Sequence, residues 1–326
     1  MRKSSVALAL AASLLVLLPA PAHAWFAKGH KTVAYIAYDE LKPATRKRVN
    51  AVLKRHPEYA EWVKNMPAAD RGREAFMRAS VWPDDIKQYA GYKSSQKCVN
   101  TPSIGFQDKG KHNDWHYLDI PFSSDGTPTK IQCAPNAYSI IVRFSNELSS
   151  NVSDDIKAYD LTWLIHLIGD IHQPMHGTAR FSASDTDGDG GGNDLKIERF
   201  RLRESKPGDF PAENLHSFWD GSLGEDSSPQ AVRSLAESLT AEIKPENPRP
   251  RPNKTRVWQW INESGALGRY FAYTLEMDRN TKDVDGDGRV EPVVGPEYER
   301  FAVSIARQRM ALAGYRLADL INTYLK

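Results

Sequence analysis

Cysteine is nearly absent from this 326-residue chain, Cys98 and Cys133 being the only two. That excludes a cysteine-based metal module and a heavily cross-linked scaffold, and leaves room for one bridge at most. No charge of either sign predominates, with 43 lysines and arginines against 41 aspartates and glutamates. A broad basic field is therefore missing, which excludes partners held by counterion release alone; any attraction to an anion has to be local, from metal ions or a few cations. Long apolar runs are scarce too. The one at Val6 to Leu18 is too short to span a bilayer, and no later segment approaches ~20 continuous apolar residues. Strand-like alternation is rare, Lys196 to Leu202 being the best candidate for a short hairpin arm. No internal repeat is detectable.

What is present starts with an export leader. Arg2 and Lys3 precede the apolar stretch, which gives way to Pro19-Ala20-Pro21-Ala22-His23-Ala24. The small residues Ala22 and Ala24 place cleavage after Ala24, so the mature chain should begin at Trp25, in the periplasm or outside the cell. The leader is of bacterial appearance, and no cysteine near the cleavage point suggests a lipid anchor. Its removal deletes two basic and no acidic residues, taking the formal charge from +2 to zero. In an oxidising compartment a bridge between Cys98 and Cys133 is expected to tie down the loop-rich stretch between them, two free thiols being the alternative.

Helical spacing dominates the rest. Val33, Ile36, Ala37 and Leu41 recur on one face, Ile140, Val142, Phe144 and Leu148 more loosely, and Asp154 to Gly169 is apolar almost all round, the mark of a buried helix. Further helical patterns cover Pro229 to Ile243, Val257 to Leu275 and Tyr298 to Leu325. Breaks fall at Cys98 to Gly110, Ser123 to Ala134, Ser182 to Asp194, Lys244 to Lys254 and Asp278 to Pro296. An all-α class follows: residues 25–326 as one compact multi-helix domain with long loops and at most a small hairpin. The proline-rich stretch Pro245 to Pro252 reads as a connector within it.

The chemistry lies in paired histidines and carboxylates. His166 and Asp170 are four apart on the buried helix, one turn apart on one face, and His216 and Asp220 repeat the spacing. Such a pair can close on one zinc ion, or on two neighbouring ions, without distorting a helix. A carboxylate within Trp163-Leu164-Ile165-His166-Leu167-Ile168-Gly169-Asp170-Ile171 must find a cation or lose its charge. Pro174 ends the helix, and the turn can swing His176 back towards the same cavity. Any one of these histidines is more simply a satisfied core or surface residue; their correlation with carboxylates is what favours a metal. His172 points away from the ligand face and reads as structural or supporting. His56 and His112 carry no paired carboxylate at helical spacing and are expected at the surface.

The segment His166 to His176 resembles the core motif of the zinc-dependent S1/P1 nucleases, as does Leu215-His216-Ser217-Phe218-Trp219-Asp220. Trp25-Phe26-Ala27-Lys28-Gly29-His30 is similar to that family's mature N-terminus, and Ser80-Val81-Trp82-Pro83-Asp84 and Trp115-His116-Tyr117-Leu118-Asp119 match its remaining motifs, in the family order. The resemblance implies three zinc ions per chain. Asp84, His116, His166 and Asp170 would hold one. Asp170 would bridge to a second, held also by His30 and by the α-amine and carbonyl oxygen of Trp25. His176, His216 and Asp220 would hold the third. An α-amine freed by cleavage has an ordinary pKa near ~8 and can bind zinc in its neutral form, so export would complete the site.

The resemblance further implies metal-assisted hydrolysis of single-stranded DNA and RNA, and of mono- and oligonucleotides, to 5′-phosphorylated products. It implies 3′-nucleotidase activity too, in a monomer without a membrane anchor. Asp170 sits at the centre of that chemistry, and Lys87, one turn beyond Asp84, is the candidate clamp for developing charge. Tyr117 is the candidate base-stacking platform, with Asn193 and Asp194 as base-edge contacts; stacking tolerates any sequence. The loops Asp185 to Gly190 and Asp283 to Gly288 begin like calcium loops, but the twelfth positions are Lys196 and Val294. Full EF-hand sites are ruled out, leaving weak Ca²⁺ binding or, more simply, solvated turns. A zinc phospholipase C is the nearest alternative; Asp220 and the contexts of Trp82 and Trp219 favour the nuclease branch. A non-catalytic zinc-binding surface protein would leave the complete ligand set unexplained.

Overall fold

A computed structural model describes residues 25–199, 212–274 and 292–325. The export leader, the second acidic loop and Leu202 lie outside the described residues. In chain order the α-helices are α1 (Ala27–Glu40), α2 (Pro43–Leu53), α3 (Tyr59–Val63), α4 (Arg71–Ala79), α5 (Trp82–Asp85), α6 (Ala137–Leu148), α7 (Asp154–Asp170), α8 (Leu215–Asp220), α9 (Pro229–Glu242), α10 (Lys254–Tyr270) and α11 (Pro296–Tyr324). The all-α class expected from the spacing is what the chain forms.

Helix α7 is the axis. Ser153 caps its start by accepting the Ile156 N–H, and Asp154 and Asp155 sit in the first turn, where the helix dipole favours negative charge. From Lys157 to Asp170 every residue is buried, because α1, α2, α4, α5, α6 and α11 all pack on it. Leu161, Trp163, Leu164, Ile165, Leu167 and Ile168 are fully enclosed, and burying each of the leucines and isoleucines stabilises by about 1.5–3 kcal/mol. A second, smaller cluster around Met175, Leu215, Phe218, Trp219, Val294 and Ile305 supports α8 from behind.

Among the described residues strands are few, and one pairing was not expected. Strand β1 (Ile120–Ser123) pairs in parallel with β2 (Thr178–Phe181). The segment from Lys196 pairs on two sides: Lys196 bridges antiparallel to Asn214, with Ile197 N–H donating to Glu213 O and Leu215 N–H to Leu195 O, while β3 (Glu198–Arg199) pairs in parallel with β4 (Val293–Val294). A parallel partner needs a long crossover, and a partner so far along the chain leaves no trace in local alternation. The proline-rich connector is tied down: Arg249 reaches Glu40 and Asp319, Glu246 pairs with Arg316, and Tyr324 donates to Pro252 O. Cys98 and Cys133 form the expected disulfide, with Cα atoms 5.5 Å apart.

Candidate metal centre

Six short pieces of backbone deliver the candidate ligands. His30 comes from the first turn of α1, Asp84 from α5, and His116 from the end of a 3-10 turn at Asn113–Trp115. His166 and Asp170 share the last turn of α7, where the helix dipole favours a cation. Pro174–His176 forms the turn that brings His176 back, and α8 carries His216 and Asp220. Asn214 caps α8 through a reciprocal capping box with Ser217, which fixes where that short helix starts. All eight side chains are buried.

Five of them form one cluster. The two oxygens of Asp170 face different partners: Oδ1 lies 3.3 Å from His30 Nε2, whereas Oδ2 lies 3.0 Å from His116 Nδ1 and 3.1 Å from His166 Nε2. Asp84 closes the ring at 3.8 Å from His116 and His166 and 4.0 Å from His30. The rings of His30 and His166 stack at 4.0 Å. Gly169 is required at this point, since a Cβ there would sit 2.9 Å from His30 Nδ1. The second group is smaller: His216 Nε2 lies 3.0 Å from His176 Nε2 and 3.5 Å from Asp220 Oδ2.

The imidazoles are aimed by backbone carbonyls. Nδ1–H of His166 donates to Ser80 O at 2.7 Å, that of His176 to His116 O at 2.9 Å, and that of His216 to Gly191 O at 2.8 Å. Each bond fixes the tautomer that turns a bare Nε2 inward, as metal-binding histidines require. Burial pushes His116 and His176 down to about 3 and His216 to about 4, so these rings are neutral near pH 7. Burial also lowers His30, helped by His166. At His166 burial is outweighed by the charges of Asp170 and Asp84, which raise it. Burial works to raise Asp170, but His166, His116 and His30 hold it well below the usual carboxylate range. Asp220 goes the other way, raised by burial although Gln173 donates to it at 2.6 Å.

Such a set fits divalent metal ions. His176 Nε2 and His216 Nε2 both present lone pairs, and two lone pairs facing at 3.0 Å repel unless a cation lies between them. Tetrahedral zinc with Zn–N of about 2.0–2.1 Å separates its nitrogens by ~3.3 Å, close to what is found. Among the described residues, one oxygen each of Asp170 and Asp220, both nitrogens of His30 and Nε2 of His116 are buried without a hydrogen-bond partner, which costs free energy unless something binds them. Among the described residues, His30 with Asp84 and His166, His116 with His166 and Asp170, and His176 with His216 and Asp220 are each close enough to share an ion.

Trp25 is fully buried, and its indole N–H donates to Gly169 O at 3.1 Å; the next amide, Phe26 N–H, donates to Asp220 O at 3.2 Å. The start of the described chain is thus pinned between the two helix ends that carry the carboxylates. Lys87 reaches the cluster too, its ammonium 2.7 Å from Asp84 Oδ1. Tyr117 is half-buried and donates its hydroxyl to Asp114 at 3.1 Å. Asn193 donates to Gly190 O at 2.7 Å and Asp194 is exposed, both two or three residues beyond the Gly191 carbonyl that aims His216. Asp119, which the sequence reading passed over, is held at about 7 by burial and by the nearby charge of Asp189; no spacing rule marks a lone carboxyl of this kind.

Two histidines are not where expected. His56 is buried among Trp62, Trp82 and Phe106, and burial drives its pKa down to about 3. His112 is also buried, stacked on Trp115 at 3.6 Å and 2.9 Å from Asp108. The aromatic partners come from loops and other elements, which helical spacing could not show; Asp108, by contrast, stands four residues before His112, a paired carboxylate that the sequence expectation missed. His172 is structural: its Nδ1–H donates to Ile168 O, and Nε2 accepts from Arg316 at 3.1 Å.

With this geometry in view, the similarities are informative. The chain matches the family model described as S1/P1 Nuclease over residues 25–326, and it belongs to that family. Endonuclease 2 of Arabidopsis thaliana is 23% identical over 92% of this chain and 90% of its own length. Nuclease P1 of Penicillium citrinum is 24% identical over 91% and 97%. Nuclease S1 of Aspergillus oryzae is 25% identical over 68% and 63%.

Proposed function

We propose that this protein is an exported, zinc-dependent endonuclease that cuts phosphodiester bonds in single-stranded DNA and RNA with little base preference, leaving 5′-phosphorylated products and acting on 3′-nucleotides as well. The single observation that carries the reading is the pair of neutral, inward-aimed imidazole nitrogens of His176 and His216 3.0 Å apart beside Asp220, next to the five-residue cluster built on Asp170. The family match over residues 25–326 supports the substrate class, and its start at Trp25 is in step with cleavage after Ala24 and a single catalytic domain.

In this reading Asp84, His116, His166 and Asp170 hold one zinc ion. Asp170, His30 and the terminal amine and carbonyl of Trp25 hold a second, and His176, His216 and Asp220 a third. Zinc bound there supplies Lewis acidity towards phosphate oxygens and lowers the pKa of bound water to about 7. The chain's own part is to place charge and exclude water. Asp170 stays ionised and offers one oxygen to each side. His116, His176 and His216 stay neutral because burial makes their charged form costly. Lys87, fixed on Asp84, keeps an ammonium beside the cluster for phosphate charge. Tyr117 would stack a base, with Asn193 and Asp194 at its edge. Because the ligating amine exists only after cleavage, the exported chain matures at its new N-terminus.

The test offers processed protein single-stranded DNA, RNA and phosphatidylcholine, with and without a chelator. Chelator-sensitive release of 5′-phosphorylated nucleotides is expected. Release of choline phosphate without nucleotides would make the protein a phospholipase, and inactivity on all three a binding protein.

A further inference from the structure

The acidic run Asp185-Thr186-Asp187-Gly188-Asp189-Gly190, which opens like a calcium loop, has a second use in the fold. Asp187 is exposed and pairs with Lys130. Asp189 is only 1% exposed. Its Oδ1 accepts three bonds: from the Arg180 N–H at 3.0 Å, the Gly192 N–H at 3.2 Å and the Tyr273 hydroxyl at 2.8 Å. Its backbone N–H donates to Arg180 O, and its carbonyl accepts from the Asp194 N–H. One residue thus ties strand β2, the end of the acidic run and the stretch after α10 to a single point.

What it pins is an unusual arch. Gly190, Gly191 and Gly192 have φ of 58°, 64° and 81°, three successive left-handed residues that only glycine adopts cheaply. A Cβ on Gly191 would lie 2.5 Å from Met175 O. The arch points its carbonyls at one target: Gly191 O takes the His216 Nδ1–H at 2.8 Å, and Gly192 O takes the His216 backbone N–H at 3.2 Å.

We propose that Asp189 is a positioning residue for the metal ion held by His176, His216 and Asp220, acting through the glycine arch that fixes the tautomer and aim of His216. This rests on the ligand assignment made above. The role needs an acceptor oxygen at Oδ1, where all three donors are neutral; the nearby cation, Arg180, faces the other oxygen, with Nε 3.9 Å from Oδ2 and beyond hydrogen-bond distance. Asparagine should therefore serve where alanine fails. Groups that orient ligand imidazoles typically contribute ~10- to 100-fold to metal affinity.

The experiment titrates zinc-loaded protein with a chromogenic chelator and follows each ion released. In the parent protein, His216→Ala identifies the third zinc by its loss; if no zinc is lost, the ligand assignment fails and the positioning role falls with it. Given that zinc, Asp189→Ala should weaken it alone by ~10- to 100-fold, leaving the other two unchanged, and Asp189→Asn should restore most of the affinity. Unchanged affinity in Asp189→Ala, equal loss at all three ions, or an asparagine variant as weak as the alanine one would overturn the proposal. Should Asp189→Ala not fold, Tyr273→Phe removes one of the three donors and should weaken the same zinc only. No change in that variant would count against the arch.

Discussion

Metal removal should destabilise this protein by an amount that can be worked out beforehand. Three buried groups are shaped for cations, and their unpartnered atoms lie at the end of the helix that organises the core. A ligand that binds only the folded state adds RT ln(1 + [L]/Kd), about 2.7 kcal/mol when free zinc stands at about 100 times Kd. Three ions bound at that level then add about 8 kcal/mol. Unfolding entropy of ~2.1 cal/mol/K per residue over about 300 residues makes each kcal/mol worth ~1.6 °C, so full chelation should lower Tm by ~13 °C and loss of one ion by ~4 °C. Scanning calorimetry of zinc-loaded, chelated and zinc-restored protein measures this directly, with His216→Ala expected to forfeit only one third of the shift. A chelated protein melting within a degree or two of the loaded one would refute the reasoning, because the repelling imidazoles would then have some other remedy.

Other perturbations have equally definite outcomes. Asp170→Asn removes the carboxylate whose two oxygens face opposite partners, so nuclease activity should fall by orders of magnitude and bound zinc should drop; a variant still holding three zincs would show that the bridge lies elsewhere. A chain keeping even one residue ahead of Trp25 should be crippled, and full activity from it would contradict ligation by the amine. Replacing Cys98 and Cys133 by serine frees a loop spanning 35 residues, a loss of about 4 kcal/mol on loop-entropy grounds and ~6 °C in Tm; an unchanged Tm would mean the unfolded chain is already constrained there. His56 has its folded pKa lowered to about 3 from 6.5, so the unfolded state takes up the proton first and stability declines as pH falls below 6.5. Urea unfolding should show a fall of about 1.6 kcal/mol between pH 6.5 and 5 that His56→Phe lacks, and equal slopes would remove His56 from the explanation.

The sequence exposed the site unevenly, for physical reasons. His166 with Asp170 and His216 with Asp220 stand out because helical geometry turns a spacing of four into adjacency. His30, Asp84 and His116 lie on three separate elements, so nothing local joins them; only motif resemblance brought them into the set. The burial of α7 could be read from a composition apolar almost all round, and the start of α11 was missed by only two residues. His112 had a carboxylate at a spacing of four, Asp108, that went unread, whereas His56 was misplaced because its surroundings are assembled from Trp82 and Phe106, on elements whose packing a periodicity does not encode. The parallel pairing of Glu198–Arg199 with Val293–Val294 failed to show for the same reason. Asp189 was noticed as part of a calcium-like run, but its role depends on three donors, from Arg180, Gly192 and Tyr273, that only the fold gathers.

Counting zinc in fully processed, active protein bears most directly on the whole account. Elemental analysis after dialysis against metal-free buffer should return three zinc ions per chain, with activity lost and regained in step with them. Active protein that carried no zinc would contradict the reading of every ligand named above.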